Sequence, residues 1–225
     1  MAMAAGAART SVWLVVRPAP ATRRRTDAAP SGLDRDRITA ATVHLLDAEG
    51  LGRFSMRRLA GRLGVTAMSL YWYVDTKHDL LELALDRALG ELPLPGDGAP
   101  GDGAPGGWPG GLRALAQGYR RVLADHAWIA PLAAEYPNIG PHARALDAAL
   151  KRLLDAVGLT DAGRAGAHLA VSQFLHGCGG AGTVRRAPEA DFGLALDILI
   201  AGIGAKAAAG GTVPDQAGPR PDPDR

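Results

Sequence analysis

The hydroxyls of Thr66, Ser69, Tyr71 and Tyr73 and the ammonium of Lys77 fall within one stretch of twelve residues. Each can donate to a phosphate oxygen, and contacts of that kind fix a protein's register on a nucleic-acid backbone. The same stretch holds Ser69-Leu70-Tyr71-Trp72-Tyr73, three adjacent aromatics in a chain that is only 5% aromatic. Successive helical positions point about 100° apart, so a core can receive one or two of them but not three. Leu70 and Val74 account for the inward side, which leaves Tyr71 or Trp72, and the tip of Tyr73, for solvent or a ligand. Between positions 53 and 77 the cations Arg53, Arg57, Arg58, Arg62 and Lys77 are opposed only by Asp75, although the whole chain is nearly neutral at +2. Such a cluster has two readings, a face for a polyanion or a solvated helix surface.

These side chains need rigid elements to present them. Ile38, Ala41, Leu45 and Ala48 form a helical apolar stripe, with Gly50 placed to end it. Ser55 offers an N-cap for a second helix carrying Met56, Leu59, Ala60 and Leu63, and Gly64 ends it. Thr66 caps a third helix running to about Val74, and a fourth spans about 77–91, with Leu80, Leu81, Ala84, Leu85 and Ala88 on one side. Counting Met56 as the first of twenty residues, apolar side chains fall at Leu59, Leu63, Val65, Leu70 and Tyr73. Small Ala60 stands where steeply crossing helices approach, and Gly64 stands in the tight turn, where positive φ suits glycine. This is a helix-turn-helix pattern over 56–75, parts of which a plain helical hairpin would also reproduce.

The run FSMRRLAGRLGVTAMSLYWYVDTKHDLLELALDRAL resembles the DNA-binding domain of the tetracycline-repressor (TetR) family of bacterial regulators. LYWYVDTK is similar to that family's LYWHVKNK signature, with Tyr73 and Asp75 as departures. The resemblance is specific over 34–91 and looser over 112–206, where DHAWIAPL and DFGLALDILIAGI resemble segments of the family's C-terminal domain. It implies a homodimer whose recognition helices enter successive major grooves of a palindromic operator in double-stranded DNA. On that analogy Arg57, Ala67, Met68, Tyr71, Trp72 and Tyr73 face bases or sugar, while Ser69 and Lys77 hold phosphates. Ala67 replaces the family's polar base-reading residue, so contact with a thymine methyl is the expected substitute there.

Beyond a linker at 93–111, rich in Gly and Pro and not expected to be helical, helical patterns fall at about 112–126, 128–136, 141–157, 160–181 and 191–209. The expected fold is all-α, a helix-turn-helix domain at 32–92 followed by a helical bundle at 112–209. The family implies that this bundle dimerises and senses a small molecule. Polar and aromatic residues on apolar faces are its pocket candidates. His168, Ser172 and His176 share one stripe at i, i+4, i+8 with Gln173 beside it, and His126, Trp128 and Tyr136 cluster at the preceding connection. Each set reads either as pocket lining or as interface and satisfied core. No carboxylate lies at ligand spacing on the histidine stripe, so no metal and no cofactor is expected. Gly177-Cys178-Gly179-Gly180-Ala181-Gly182 reads as close helix packing or a helix break, and not as a phosphate loop.

Gly (30) and Pro (16) make up about a fifth of the chain, clustered at its ends and in the linker. A single cysteine, Cys178, excludes a disulfide framework and a cysteine zinc site. No run reaches the ~18 uninterrupted apolar residues of a spanning helix, because Asp197 and Lys206 break the segment from Phe192 to Ala209. A cytoplasmic protein without a membrane partner is expected. Residues 1–31, with five Arg against one Asp, and the tail at 210–225 read as disordered. The Val12–Val16 run is too short for a signal peptide, and Arg23-Arg24-Arg25 follows it instead of preceding it. Arg23-Arg24-Arg25 lies about ten residues before the first helix, a span that reaches about 30 Å when extended, so the arm either touches a neighbouring minor groove or contacts nothing. No nucleophile, paired carboxylates or metal spacing points to an enzyme. The expected function is a ligand-responsive regulator, with a constitutive DNA-binding dimer as the alternative.

Overall fold

The computed structural model describes residues 10–14, 32–94, 107–177 and 188–210. Among them are nine α-helices and no strand: α1 (Arg35–Glu49), α2 (Met56–Leu63), α3 (Ala67–Leu70), α4 (Lys77–Leu89), α5 (Gly107–Asp125), α6 (Ile129–Glu135), α7 (Pro141–Asp155), α8 (Asp161–Gly177) and α9 (Glu189–Gly210). The stretches 1–9, 15–31, 95–106, 178–187 and 211–225, with Arg23-Arg24-Arg25, Cys178 and most of the linker, lie outside the described residues.

Local chemistry sets the N-terminal boundaries. Asp34 caps α1 by accepting from Arg37 N–H at 2.6 Å, Ser55 caps α2 from Arg58 N–H, and Thr66 caps α3 from Ser69 N–H. Thr76 and Asp79 form a reciprocal capping box at the start of α4. Gly64, at φ 69° and ψ 30°, ends α2 in the left-handed region, which costs a glycine nothing sterically. α3 is shorter than the sequence suggests. It ends at Leu70 and continues as tight turns, with Tyr71 N–H bonded to Met68 O and Tyr73 N–H to Leu70 O. In α1 the inward face is Ile38, Thr42, Val43, Leu45 and Leu46, while Ala48 is exposed.

Two segments depart from expectation. α5 begins at Gly107, inside the presumed linker. Pro109 is harmless there, because the first turn of a helix needs no backbone donor. Trp108 packs on the core, and Gly111 lets Leu153 come so near that a Cβ would stand 2.5 Å from it. At the other end, residues 10–14 are ordered against the protein: Ser11 and Val12 are buried, and Trp13 packs against the core.

The core is continuous from α1 to α9. α4 runs through its middle, packed on α1, α5, α6 and α7 and buried almost all round, including Glu82 and Asp86. α9 is long and apolar enough to cross a membrane by length and composition, at a mean hydropathy of 1.7. Its Phe192, Leu196, Ile200 and Ile203 are buried in the core, and Asp197 pairs with Arg113 of α5 at 2.9 Å.

Candidate nucleic-acid interface and effector cavity

Leu59 of α2 and Leu70 and Val74 around α3 are buried completely, which fixes how the remaining side chains of this helix pair point. Trp72 is 78% exposed and Met68 71%, with Tyr71 exposed beside them. Leaving three large apolar groups in water on one short segment marks a contact surface. Arg57 and Arg62 are exposed on α2. Arg58 instead pairs with Glu49 at 2.6 Å, tying α2 to α1. Lys77 lies over the ring of Phe54 at 5.5 Å, which steers its ammonium at the mouth of α4. Thr66 and Ser69 share a hydrogen bond at 2.9 Å, so the cap and the phosphate candidate form one hydroxyl pair. Ala67 and Tyr73 are half-buried and pack against the core.

Behind this surface, polar contacts join the first four helices to the rest of the chain. His78 shares a hydrogen bond with the hydroxyl of Tyr136. Asp86 accepts from the backbone N–H groups of His142 and Ala143, each at 3.0 Å, and so caps α7 from another helix. His126, 6% exposed, donates from Nδ1 to Asp47 at 2.7 Å and from Nε2 to Glu91 at 3.1 Å. Trp128 donates from its indole to the same Asp47 oxygen at 2.6 Å. A carboxylate only accepts, so an imidazole that serves two of them carries both protons and a charge. Burial works against that charge, but the hydrogen bonds and charges of Asp47 and Glu91 outweigh it, and the pKa of His126 is raised.

The bundle contains a cavity of about 320 Å³ between α4, α5, α7 and α8. Leu89, Tyr119, Ala143, Leu150 and Leu175, all buried, form its floor, and Arg144 and His176, both exposed, stand at its rim. Asn138, Asp147 and Ser172 also line it. Asp147 is held by Lys151 and by His168, both at 2.7 Å. Burial would raise its pKa, but those two bonds and their charges prevail and it is lowered. Among the described residues no group of three or more His, Cys, Asp or Glu is placed to hold a metal ion.

Two family models match this chain: "Bacterial regulatory proteins, tetR family" over residues 38–84, and "Tetracyclin repressor-like, C-terminal domain" over 99–180. The chain belongs to the TetR family. An HTH-type transcriptional regulator of Saccharopolyspora erythraea is 42% identical over 154 residues, covering 68% of this chain, which spans only 63% of that relative's length. The crystal structure of the Streptomyces coelicolor TetR family protein ActR in complex with actinorhodin superposes at a TM-score of 0.64 and 28% identity, covering 78% of this chain and all but 2% of that one. BioQ, solved with its double-stranded DNA operator, gives 0.63 at 27% identity, covering 77% and 99%.

Within this TetR chain the sequence-derived candidates divide into groups. Arg57, Met68, Tyr71 and Trp72 are presented outwards on the helix-turn-helix, with Ser69 and Lys77 partly buried at its edges. Ser172 and His176 line the cavity, and His176 bonds the carbonyl of Ser172 at 2.6 Å. His168 reaches the cavity wall only through Asp147, and Gln173 is exposed away from the lining. His126, Trp128 and Tyr136 do not border this cavity. Their polar groups are consumed by Asp47, Glu91 and His78, at the joint between the helix-turn-helix region and the bundle. Sequence reading missed Asn138, Arg144 and Asp147: Arg144, Asp147 and Lys151 at i, i+3, i+7 form the polar stripe of an amphipathic helix, and nothing local marks that stripe as bordering a cavity. It also missed Glu82 and Asp86, although His78, Glu82 and Asp86 at i, i+4, i+8 make a polar stripe on an otherwise apolar helix.

Proposed function

We propose that this chain is a ligand-responsive transcriptional repressor. It binds a palindromic operator as a homodimer through residues 32–92 and is released when a small molecule occupies the bundle that follows. The exposed Met68, Tyr71 and Trp72, set among Arg57, Arg62 and Lys77, are the observation that carries this reading. Aromatics can pack on sugars and thymine methyls while the cations meet phosphates. The operator complex of BioQ and the actinorhodin complex of ActR support it. So does an apolar stripe left exposed on α9, Leu194, Ile198, Ala201 and Ala205, beside exposed Leu169 on α8. Paired with a second copy about a two-fold axis, these helices form a four-helix interface. The cavity favours a sensing bundle over one that only dimerises. Ligand binding lowers operator affinity to the extent that it prefers a bundle shape whose recognition helices no longer match two half-sites.

The test selects binding sites from a random duplex pool with the full chain and measures affinity against salt. Tyr71→Ala lowers affinity for the selected site. Lys77→Ala lowers affinity for every duplex and makes the log–log salt slope shallower by about one. Selection that enriches no sequence, or two variants that bind as the parent does, overturns the reading.

A further inference from the structure

We infer that the bundle cavity takes an amphipathic organic anion: an apolar ring system or chain carrying one acid group. This rests on the reading of the bundle as a sensor and names what it senses.

The floor sets the apolar part. Leu89, Leu150 and Leu175 leave no charge in the depth of the cavity, and Tyr119 adds a ring edge. Burying matched apolar surface there supplies most of the binding free energy.

The charge at the rim sets the sign. Asp147 is the acidic group of the lining, and its carboxylate is already engaged by Lys151 and His168, each at 2.7 Å. Arg144, one helical turn before it, has no carboxylate partner among the described residues. A cationic ligand would have to strip Asp147 of two partners while approaching Arg144. An anionic one meets a guanidinium that is uncommitted and whose planar fork matches a carboxylate.

The probes are 2-naphthoate, its uncharged carboxamide and the cationic 2-naphthylmethylammonium. Each is titrated into the full chain by calorimetry, with binding to a selected duplex measured on the same sample. The naphthoate binds at one site per protomer, the amide binds about tenfold more weakly, consistent with losing one charge-assisted pair at a partly exposed site, and the ammonium binds more weakly still. Arg144→Gln removes the preference for the acid over the amide while leaving duplex binding intact. Leu146→Trp, which fills the cavity from its partly buried wall, abolishes naphthoate binding. The inference is overturned if the amide or the ammonium binds as well as the acid, if Arg144→Gln keeps the preference, or if no probe binds. Any of these with duplex binding retained removes the ligand class alone, whereas loss of sequence-selective duplex binding in the parent protein removes the regulator reading itself.

Discussion

Gly140 and Asp86 stand so close that a Cβ on the glycine would overlap the aspartate carboxyl group. That proximity lets Asp86, buried on α4, receive the N–H groups of His142 and Ala143 and hold the first turn of α7, where Ala143 also borders the cavity. The turn that walls the cavity and the helix that leads back to the helix-turn-helix are therefore one hydrogen-bonded unit.

Gly140→Ala displaces the carboxylate and leaves buried donors unmet. It costs about 1–3 kcal/mol, which lowers the melting temperature by about 2–4 °C per kcal/mol in a chain of this size. Asp86→Asn keeps a neutral acceptor and loses less. Thermal unfolding of the two variants checks the order; equal melting temperatures for Gly140→Ala and the parent would show that the turn yields freely.

The buried His126 gives the protein a pH-dependent joint. Its folded pKa lies above the ordinary value of 6.5 because Asp47 and Glu91 outweigh the effect of burial. A raised histidine stabilises fully below that ordinary value, and the contribution fades as the pH climbs through the folded value. His126→Gln, which cannot be charged, is therefore less stable than the parent by the largest margin near about pH 6, and the gap narrows towards about pH 9. Denaturant midpoints across that range test it, and a gap that does not change with pH would mean the bridge is not ionic.

Residues 10–14 fall in the extension read as disordered, yet Ser11 donates its hydroxyl to Glu82, and Val12 N–H reaches the same oxygen at 3.3 Å. Glu82 is only 4% exposed. Removing residues 1–14 strands that carboxylate and lowers stability by about 1–3 kcal/mol. Glu82→Leu in the truncated chain recovers much of the loss, because an apolar group needs no partner. A truncation that melts with the full chain would show the docking to be incidental.

Leu194→Glu combined with Ile198→Glu places charges in the middle of the exposed α9 stripe. The double variant is monomeric at micromolar concentration by light scattering, keeps its helical circular dichroism, and binds a palindromic duplex no better than a single half-site. A variant that remains dimeric would move the interface elsewhere.

The helix-turn-helix was legible because its determinants are local. Ser55, Gly64 and Thr66 cap and turn the chain within three or four residues of the groups they serve, and three successive aromatics could not all be buried. α4 was read only by its apolar side, since the partners of its polar residues are remote. Glu82 meets Ser11 across 71 positions, and Asp86 meets Ala143 across 57. His126 and Trp128 were picked out for being polar or aromatic where apolar was expected, but their acceptor, Asp47, lies about eighty residues away. The Gly107–Gly111 turn was missed for the opposite reason. Its composition disfavours a helix, and only packing, with Leu153 settled onto Gly111, overrides that.

The chain crosses only once between the helix-turn-helix region and the bundle, after α4, yet three sets of side chains cross beside it: His78 with Tyr136, Asp86 with the start of α7, and Asp47 with His126 and Trp128. A chimeric regulator spliced in the 95–106 stretch would join two halves whose covalent continuity is correct and whose mating surfaces are foreign. Interchangeable reading heads and sensing bodies would have to exchange those pairs along with the peptide, so the practical unit of transplantation is a contact set and not a sequence boundary.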